Sequence, residues 1–400
     1  MRGAFSRWAI AGMTAGVLAW SAPPLVGAEE TQQTAPVCTP GVTAPMPAAV
    51  EAGREASAPL HQLHRQATGA GVRVAVIDTG ITRHPRLPHR DVDSPDPAVD
   101  MPDCWGHGTA VASVIGLREG EDSVVGIAPD VELLDVPQAP FGQSPTLETV
   151  GEAVFAALDA GAGVINISLT ACLPAGTPLG RGALEEALER AEAAGVIVVA
   201  AAGNLQAGCG ADAVVYPAAF PTVVAVTATG ENGLANYAVP VHRPDFLAAT
   251  GTIPVAASAL GSGLTTTMSL PQAFSATPTP LVGTSFAAPV VAGTVALLRQ
   301  LYPQATPAQI RAHLLSTADP TTHAISPART VATLLAPPVP IATPAAIDLA
   351  PAEQTQLLPI LAGVGGSFAL YGVIALIASS GRRGRAAVAA DNTGPRGKSR

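Results

Sequence analysis

Five short apolar runs, rich in valine, isoleucine and alanine, constrain the fold of this chain more than any other feature of its sequence. They cover residues 72–77, 131–136, 164–169, 196–201 and 223–226. None of them alternates polar with apolar side chains, so each is predicted to be a parallel strand that is covered on both faces. Helical spacing lies between or after them, at residues 109–117, 147–160, 183–194 and 306–317. The pattern predicts an α/β fold in which helices cover a mostly parallel central sheet in layers.

The ends of the predicted strands are where a functional site is expected. In open parallel sheets, ligands bind beyond the carboxyl ends of the strands. Asp78, Thr170 and the pair Gly203-Asn204 each stand at such a transition from strand to loop. An unpaired carboxylate at the end of a buried strand is costly, so Asp78 is predicted to have a hydrogen-bonding partner elsewhere in the chain.

A serine at the start of an apolar helix is the first candidate nucleophile. Ser285 follows Gly283 and Thr284 and opens an apolar run that extends to about residue 301. The backbone N–H groups in the first turn of a helix have no partner within the helix, and the helix dipole favours an anion there. The alternative is that Ser285 or Thr284 only caps a core helix, since serine and threonine are common N-caps. A catalytic serine would need a base and an acid from elsewhere in the chain.

His107 is the candidate base. It lies between Gly106 and Gly108 at the start of a predicted helix. Because a helix N-terminus disfavours imidazolium, His107 is predicted to be neutral at rest and able to accept a proton, with Asp78 stabilising the charge that results. Taken singly, His107 could be only a helix-start residue and Asp78 only part of a turn.

The residues beside the candidate nucleophile indicate how a substrate would bind. Asn204 carries a side-chain amide that could donate to the oxyanion of a tetrahedral intermediate, although alone it could be only a loop residue. The backbone of Ser168, Leu169 and Thr170 offers groups to which an extended peptide could add as another strand. Together with Gly203, these three are the predicted substrate-binding residues, and a polypeptide is the predicted substrate.

Four segments, in this order along the chain, resemble one known family. They are residues 74–80 (VAVIDTG), 106–112 (GHGTAVA), 201–204 (AAGN) and 283–289 (GTSFAAP). They resemble the Asp, His, oxyanion and Ser segments of the subtilisin-like serine proteases, in which the catalytic residues occur in the order Asp, His, Ser. The resemblance covers about residues 71–318. It implies a subtilisin-like three-layer fold, catalytic roles for Asp78, His107 and Ser285, an oxyanion role for Asn204, and no cofactor.

The two ends of the chain predict export and membrane anchoring. Residues 1–28 have basic residues, then an uncharged run, then small residues, which is typical of a cleaved signal peptide; the alternative is a retained anchor. Residues 357–378 carry no charge and precede a basic tail at 379–400, so they are predicted to be a transmembrane helix with the tail in the cytoplasm; the alternative is a core helix.

Between the signal peptide and the transmembrane helix we predict an extension at 29–70, a catalytic domain at 71–325 and a linker at 326–356. The formal charge of −9, with no basic run before the C-terminus, argues against a nucleic-acid partner.

This architecture is similar to that of the mycosins, which are membrane-anchored proteases of type VII secretion systems. The resemblance implies a single-pass protein of the cell membrane with its catalytic domain outside, which processes secreted substrates. It also implies a second role, as a subunit that stabilises the secretion complex together with its other membrane subunits. Trp105 departs from the small or acidic residue expected between Cys104 and Gly106, and its bulk near His107 could restrict the access of a substrate.

Four cysteines in an exported chain predict two disulfides. Cys172 and Cys209 lie in loops after strands that should be neighbours, so we favour their pairing, which leaves Cys38 for Cys104; two other connectivities are open. Metal binding by the cysteines is disfavoured because they form no Cys-x-x-Cys pair. Asp91, Asp93, Asp96, Asp100 and Asp103 could suggest calcium, but prolines interrupt them and no known calcium loop pattern is present, so a solvated loop and no metal are predicted.

Overall fold

The structure is a computed structural model that describes residues 47–92, 103, 105–138, 145–177, 182–206, 208–231, 233–258, 262–268 and 279–335. The chain divides into two units, Met1–Pro337 and Pro338–Arg400. The predicted signal peptide, transmembrane helix and basic tail all lie outside the described residues, as do Cys38 and Cys104.

A twisted parallel sheet forms the centre of the described domain. Its strands are β1 (Arg73–Asp78), β2 (His89–Asp91), β3 (Glu132–Pro137), β4 (Val164–Ile167), β6 (Ile197–Ala201), β8 (Val224–Gly230) and β10 (Leu247–Thr250), in the spatial order β10-β8-β6-β4-β1-β3-β2. Every pairing along this path is parallel. The five predicted strands all belong to it, which confirms the mostly parallel sheet.

Shorter strands surround this sheet, and one of them extends it. β9 (Gly233–Leu234) pairs antiparallel with β8. Three separate antiparallel pairs lie in the loops. They are β5 (Ala171–Leu173) with β7 (Val214–Tyr216), β11 (Ala256–Ala257) with β12 (Leu264–Thr265), and β13 (Thr267–Met268) with β14 (Thr279–Pro280).

Helices cover both faces of the sheet and make the predicted three layers. The helices are α1 (Pro47–Leu63), α2 (His107–Gly116), α3 (Leu147–Asp159), α4 (Ala183–Ala193), α5 (Thr284–Leu301), α6 (Pro307–Thr317) and α7 (Pro327–Ala332). Side chains that alternate along β1 reach two different cores: Val74 and Val76 pack with α2 and α5, whereas Ala75 and Ile77 pack with α3 and α4. This double burial explains why the strand sequences are continuously apolar.

Helix α5 is the central helix of one face. It packs against α2 and against strands β4, β6, β8 and β10. Its length and composition alone would allow it to cross a membrane, but 78% of the helix is buried inside the domain. Contact with the sheet therefore accounts for its apolar sequence, as expected for a helix that is hydrophobic all round.

Two helices lie in segments for which the sequence predicted none. Helix α1 lies in the predicted extension, and it buries Leu60 and Leu63 against the face that holds α2 and α5. Helix α7 lies at the start of the predicted linker, with Thr330 and Val331 buried, and it packs against α5. Two of the four buried residues of α1 are Gly53 and Ser57, and α7 is only six residues long, so the stability of both helices comes from the domain on which they pack.

Candidate active site

Asp78 and His107 are joined by a short hydrogen bond. The Nδ1 atom of His107 lies 2.6 Å from Oδ1 of Asp78, whose side chain is fully buried. The same Asp78 oxygen accepts the backbone N–H of Thr79 at 2.7 Å. The bond to Nδ1 leaves Nε2 of His107 as the nitrogen available to other groups.

Two glycines allow β1 and α2 to meet at this point. Gly80, two residues after Asp78, has φ of +110°, a backbone conformation that residues other than glycine rarely adopt. Gly108, in the first turn of α2, has no room for a side chain, because a Cβ atom there would lie 2.2 Å from the carbonyl oxygen of Gly80. The absence of a Cβ lets the first turn of α2 lie directly on the turn that follows β1.

The pKa of His107 moves in the direction opposite to the one predicted from the helix alone. Burial by itself lowers this pKa. The charge of Asp78, its hydrogen bond to the ring, and the charge of Asp103 together raise the pKa above the usual value for histidine. Two carboxylates therefore oppose the effect that the helix N-terminus was predicted to have on His107.

Ser285 stands in the first turn of α5, after Gly283 as N-cap. Its Oγ atom donates to the carbonyl oxygen of Ser168 at 3.0 Å, and Oγ of Ser168 in turn donates to the carbonyl of Ser285 at 2.9 Å. Within the described residues no hydrogen bond joins Ser285 to His107, although the ring of the neighbouring Phe286 lies 5.2 Å from the imidazole ring. Neither Ser285 nor Thr284 caps α5 through its side chain.

Thr284 ties the loop after β6 to the start of α5. Its N–H donates to Oδ1 of Asn204 at 3.0 Å, and its Oγ1 accepts the N–H of Gly203 at 3.1 Å. The carbonyl end of the Asn204 amide is thereby held, which leaves the NH₂ end to donate elsewhere. A Cβ atom at Gly283 would lie 3.1 Å from Nδ2 of Asn204, so the glycine keeps space beside this donor.

The predicted substrate-binding residues lie beside Ser285. Ser168 is buried and Leu169 and Thr170 are half-buried, in the segment between β4 and β5. The hydroxyl of Ser168 accepts a hydrogen bond from Nδ2 of Asn166, and this bond ties the segment 168–170 to the end of β4. Gly203 is buried and φ there is +92°. The segment 168–170 and the loop at 203–204 thus come from the adjacent strands β4 and β6.

Asp103 is a residue whose role the sequence did not indicate. It was predicted to belong to a solvated acidic loop, but its side chain is only 3% exposed. Its two oxygens accept hydrogen bonds from Thr79, Gly106 and Thr109. The signal that could have found it is its position four residues before His107, where a carboxylate can cap the helix that His107 begins.

The disulfide predicted between Cys172 and Cys209 is confirmed. The two Cα atoms are 5.3 Å apart, and the bond links β5 to the turn that precedes β7. This region follows β4 and β6, the neighbouring strands from which the pairing was predicted. The pairing of Cys38 with Cys104 lies outside the described residues and stays a prediction.

One group of described residues has the composition of a cation site. His89, Asp91 and Asp135 lie on β2 and β3, with potential ligand atoms within 4.8 Å of one another. Arg83 already forms an ion pair with Asp91. Burial, together with the charges of Asp103, Asp91 and Asp78, raises the pKa of Asp135 to about 7 against the lowering effect of the Ile81 N–H.

Comparisons with known proteins agree with this geometry. The model of the subtilase family matches residues 69–339. Mycosin-4 of Mycobacterium tuberculosis (strain ATCC 25618 / H37Rv) is 34% identical over 385 residues, which cover 84% of this chain and 83% of that protein. The crystal structure of MycP1 from Mycobacterium smegmatis is similar with a TM-score of 0.62 and 30% identity, over 71% of this chain and 85% of that one. A chain in the structure of an intact ESX-5 inner membrane complex is similar with a TM-score of 0.58 and 27% identity, over 80% of this chain and 88% of that one.

Proposed function

This chain belongs to the subtilase family, and from that premise we propose that it is a membrane-anchored serine endopeptidase that cleaves secreted polypeptides of a type VII secretion system. The observation that carries the proposal is the hydrogen bond of 2.6 Å between His107 and Asp78, close to a serine at the start of a buried helix. A histidine held in this way can act as a base towards a hydroxyl that is too weak a nucleophile by itself.

We assign the acylation step to Ser285 and His107. The Ser285 hydroxyl leaves the Ser168 carbonyl, turns towards Nε2 of His107 and attacks the carbonyl carbon of the peptide bond. His107 accepts the hydroxyl proton and then donates it to the departing amine, while Asp78 stabilises the imidazolium and holds the ring orientation. Water then hydrolyses the acyl-enzyme with His107 again as the base.

Two hydrogen-bond donors stabilise the oxyanion that forms in each step. One is the NH₂ group of Asn204, whose other end is held by the N–H of Thr284 at 3.0 Å. The other is the backbone N–H of Ser285, which has no acceptor within the described part of the chain and lies at the positive end of the α5 dipole. Donors that are already oriented stabilise a developing negative charge without reorganisation during the reaction.

The polypeptide substrate is proposed to bind along the segment 168–170 as an additional strand. Ser168, Leu169 and Thr170 connect β4 to β5 at the carboxyl edge of the sheet, next to Ser285. Backbone pairing there accepts many sequences, and pockets for individual side chains select among them.

The cellular setting is proposed from the chain ends and from the relatives. The segments 1–28 and 357–378 have the composition of a signal peptide and a membrane span, with a basic tail after the span. We propose a single-pass protein of the cell membrane whose catalytic domain faces outward. Likeness to mycosins and to a chain of an ESX-5 inner membrane complex supports association with membrane subunits of such a system.

Labelling with a fluorophosphonate probe tests the peptidase proposal. The full-length protein is expected to be labelled, and the Ser285→Ala variant is expected to remain unlabelled. Mass spectrometry of exported proteins, incubated with each form in parallel, is expected to show cleavage products only with the wild type. Equal labelling of the two forms would show that Ser285 is not the nucleophile.

A structural role in the secretion complex is the second candidate function, favoured by the likeness to a chain of an ESX-5 inner membrane complex. Complementation separates it from catalysis. If Ser285→Ala restores both secretion and the size of the membrane complex to a strain that lacks the protein, peptidase activity is dispensable. If it restores the complex but leaves substrates uncleaved, both roles are used.

A further inference from the structure

We propose that Asp103 is a positioning residue for the reaction: a second buried carboxylate that holds the Asp78–His107 pair in place by joining the turn after β1 to the first turn of α2. The proposal rests on the proposed peptidase function and adds to it a residue outside the Asp, His, Ser and Asn set. Three observations support it: the contacts of Asp103, the ionised form that these contacts favour, and its position next to His107.

The contacts of Asp103 reach both elements that carry the pair. Its Oδ1 atom accepts from Oγ1 of Thr79 at 2.8 Å and from the N–H of Gly106 at 2.9 Å. Its Oδ2 atom accepts from the N–H of Thr109 at 2.8 Å and from Oγ1 of Thr109 at 2.7 Å. Thr79 directly follows Asp78, and Gly106 and Thr109 enclose His107 in sequence.

Thr79 passes the constraint to the pair itself. Its hydroxyl oxygen accepts the N–H of Gly108 at 3.0 Å, so the hydroxyl proton must point to a carboxylate. Asp103 at 2.8 Å is the nearer acceptor, and Asp78 at 3.3 Å is the other. One side chain thus contacts Asp103, Asp78 and the residue after His107. A shift of Asp103 would move the base and its acid together.

These contacts favour the ionised form of Asp103. All four of its side-chain hydrogen bonds come from donors, and an ionised carboxylate only accepts. Burial, the largest influence, raises the pKa of Asp103 above its usual value, and the charge of Asp78 raises it further. The hydrogen bonds from Thr109 and Thr79 act in the opposite direction and stabilise the charged form against this burial.

The charge of Asp103 also acts on His107. The titratable groups that face this cluster are His107 from α2, Asp78 from β1, Asp91 from β2 and Asp135 from β3. Asp103 raises the pKa of His107, as Asp78 does more strongly. Removal of its charge must therefore lower the pKa of His107. A residue that only stabilised the fold would leave this pKa unchanged.

The test compares Asp103→Asn and Thr79→Val in the full-length protein. Labelling by a fluorophosphonate is measured against pH, and the His107 ring is titrated by NMR. Asp103→Asn is expected to reduce the maximal labelling rate by about 100-fold, as for small misplacements of catalytic groups. It is also expected to move the acid limb, and the NMR titration of His107, to lower pH. Thr79→Val keeps the charge, so it is expected to slow labelling without moving the limb.

Asp319→Asn is the matched control. Asp319 also accepts three hydrogen bonds, from Thr321 and Thr322, and neither partner belongs to β1, α2 or α5. This variant is expected to label like the wild type. An Asp103→Asn protein with unchanged labelling and an unmoved His107 titration would overturn the proposal. If Asp103→Asn does not fold, unchanged labelling of Thr79→Val overturns it instead. If the wild type is not labelled, the peptidase proposal fails, and the NMR titration still decides the effect of Asp103 on His107.

Discussion

Asn204, the proposed oxyanion donor, has a side chain that is held in one orientation. Its oxygen is held by the N–H of Thr284, and the loop that carries it is held by a second bond from Gly203 to the Thr284 hydroxyl. The orientation of the NH₂ group is thus set before substrate binds. Thr284 is as important for this as Asn204 itself, although the sequence suggested for it only a role as a helix cap.

Loss of this donor is expected to affect turnover more than binding. In Asn204→Ala, kcat is expected to fall by about 10²–10³-fold with little change in KM, the magnitude found for the equivalent type of donor in subtilisin. Steady-state kinetics on a chromogenic peptide measure this. Leu205→Ala, which changes the next residue of the same loop without removing a donor, is the control. An unchanged kcat in Asn204→Ala would remove it from the oxyanion site.

The pH dependence of activity follows from the state of His107. As the proposed base, His107 must be neutral to accept a proton. Burial lowers its pKa, but the carboxylates of Asp78 and Asp103 raise it above the usual 6.5. Activity is therefore expected to rise with pH along an acid limb whose midpoint lies above 6.5. His64→Gln is a control, because burial lowers the pKa of His64 and it contacts the Ile127 carbonyl rather than the site. A midpoint below 6.5 in the wild type would contradict the assignment of His107.

At the scale of elements, the site depends on how closely the first turn of α2 approaches the end of β1. Gly108→Ala places a Cβ atom 2.2 Å from the Gly80 carbonyl, so the turn or the helix must move. We expect a loss of about 1–3 kcal/mol in the free energy of unfolding and a large loss of labelling at Ser285. Gly263→Ala, where the added Cβ atom would meet no other residue within 4 Å, is the control. Full activity in Gly108→Ala would show that the two elements tolerate separation.

The disulfide secures the pair of strands beside the substrate segment. Cys172 and Cys209 are 37 residues apart in sequence, so the bond closes a loop of that order. In the chain-entropy account, such closure stabilises the folded state by about 4 kcal/mol. The double variant Cys172→Ser/Cys209→Ser is expected to unfold at lower denaturant concentration, measured by circular dichroism. Equal midpoints for the two proteins would mean that β5 and β7 are held by their own pairing.

At the scale of the whole molecule, a buried carboxylate on β3 couples stability to pH. Asp135 is only 7% exposed. Burial raises its pKa from the ordinary 3.8 to about 7 in the folded protein. Between these two values the folded state binds the proton more tightly than the unfolded state. The contribution of Asp135 to the free energy of unfolding is therefore fully present below pH 4 and is lost as pH rises through 7.

Asp135→Asn is expected to remove this dependence. The variant should be more stable than the wild type at pH 8, and the difference should shrink as pH falls towards 4. The upper bound is on the order of 4 kcal/mol, since each unit of pKa corresponds to about 1.4 kcal/mol. Chemical denaturation at several pH values measures it. Asp159→Asn, which changes an exposed carboxylate, is the control. A stability difference independent of pH would contradict the assignment to Asp135.

The sheet, the shared edge of the site residues and one disulfide could be predicted from features that are local in the sequence. Continuous apolar runs predicted the strands of a parallel sheet because a strand buried on both faces leaves no polar position. The positions of Asp78, Thr170 and Asn204 at strand ends predicted that they would lie on one edge. The pairing of Cys172 with Cys209 followed from the same topology.

Only the tertiary structure decided the partners of buried polar groups. It placed Asp103 in the domain rather than in solvent, reversed the predicted shift in the pKa of His107, and directed the Ser285 hydroxyl to Ser168. It also made helices of α1 and α7, for which the sequence predicted none. The physical reason is common to all of these. A hydrophobic period is a property of neighbouring residues, whereas the energy of a buried charge, or of a helix stabilised by the domain on which it packs, depends on groups that are distant in the chain and meet only when it folds.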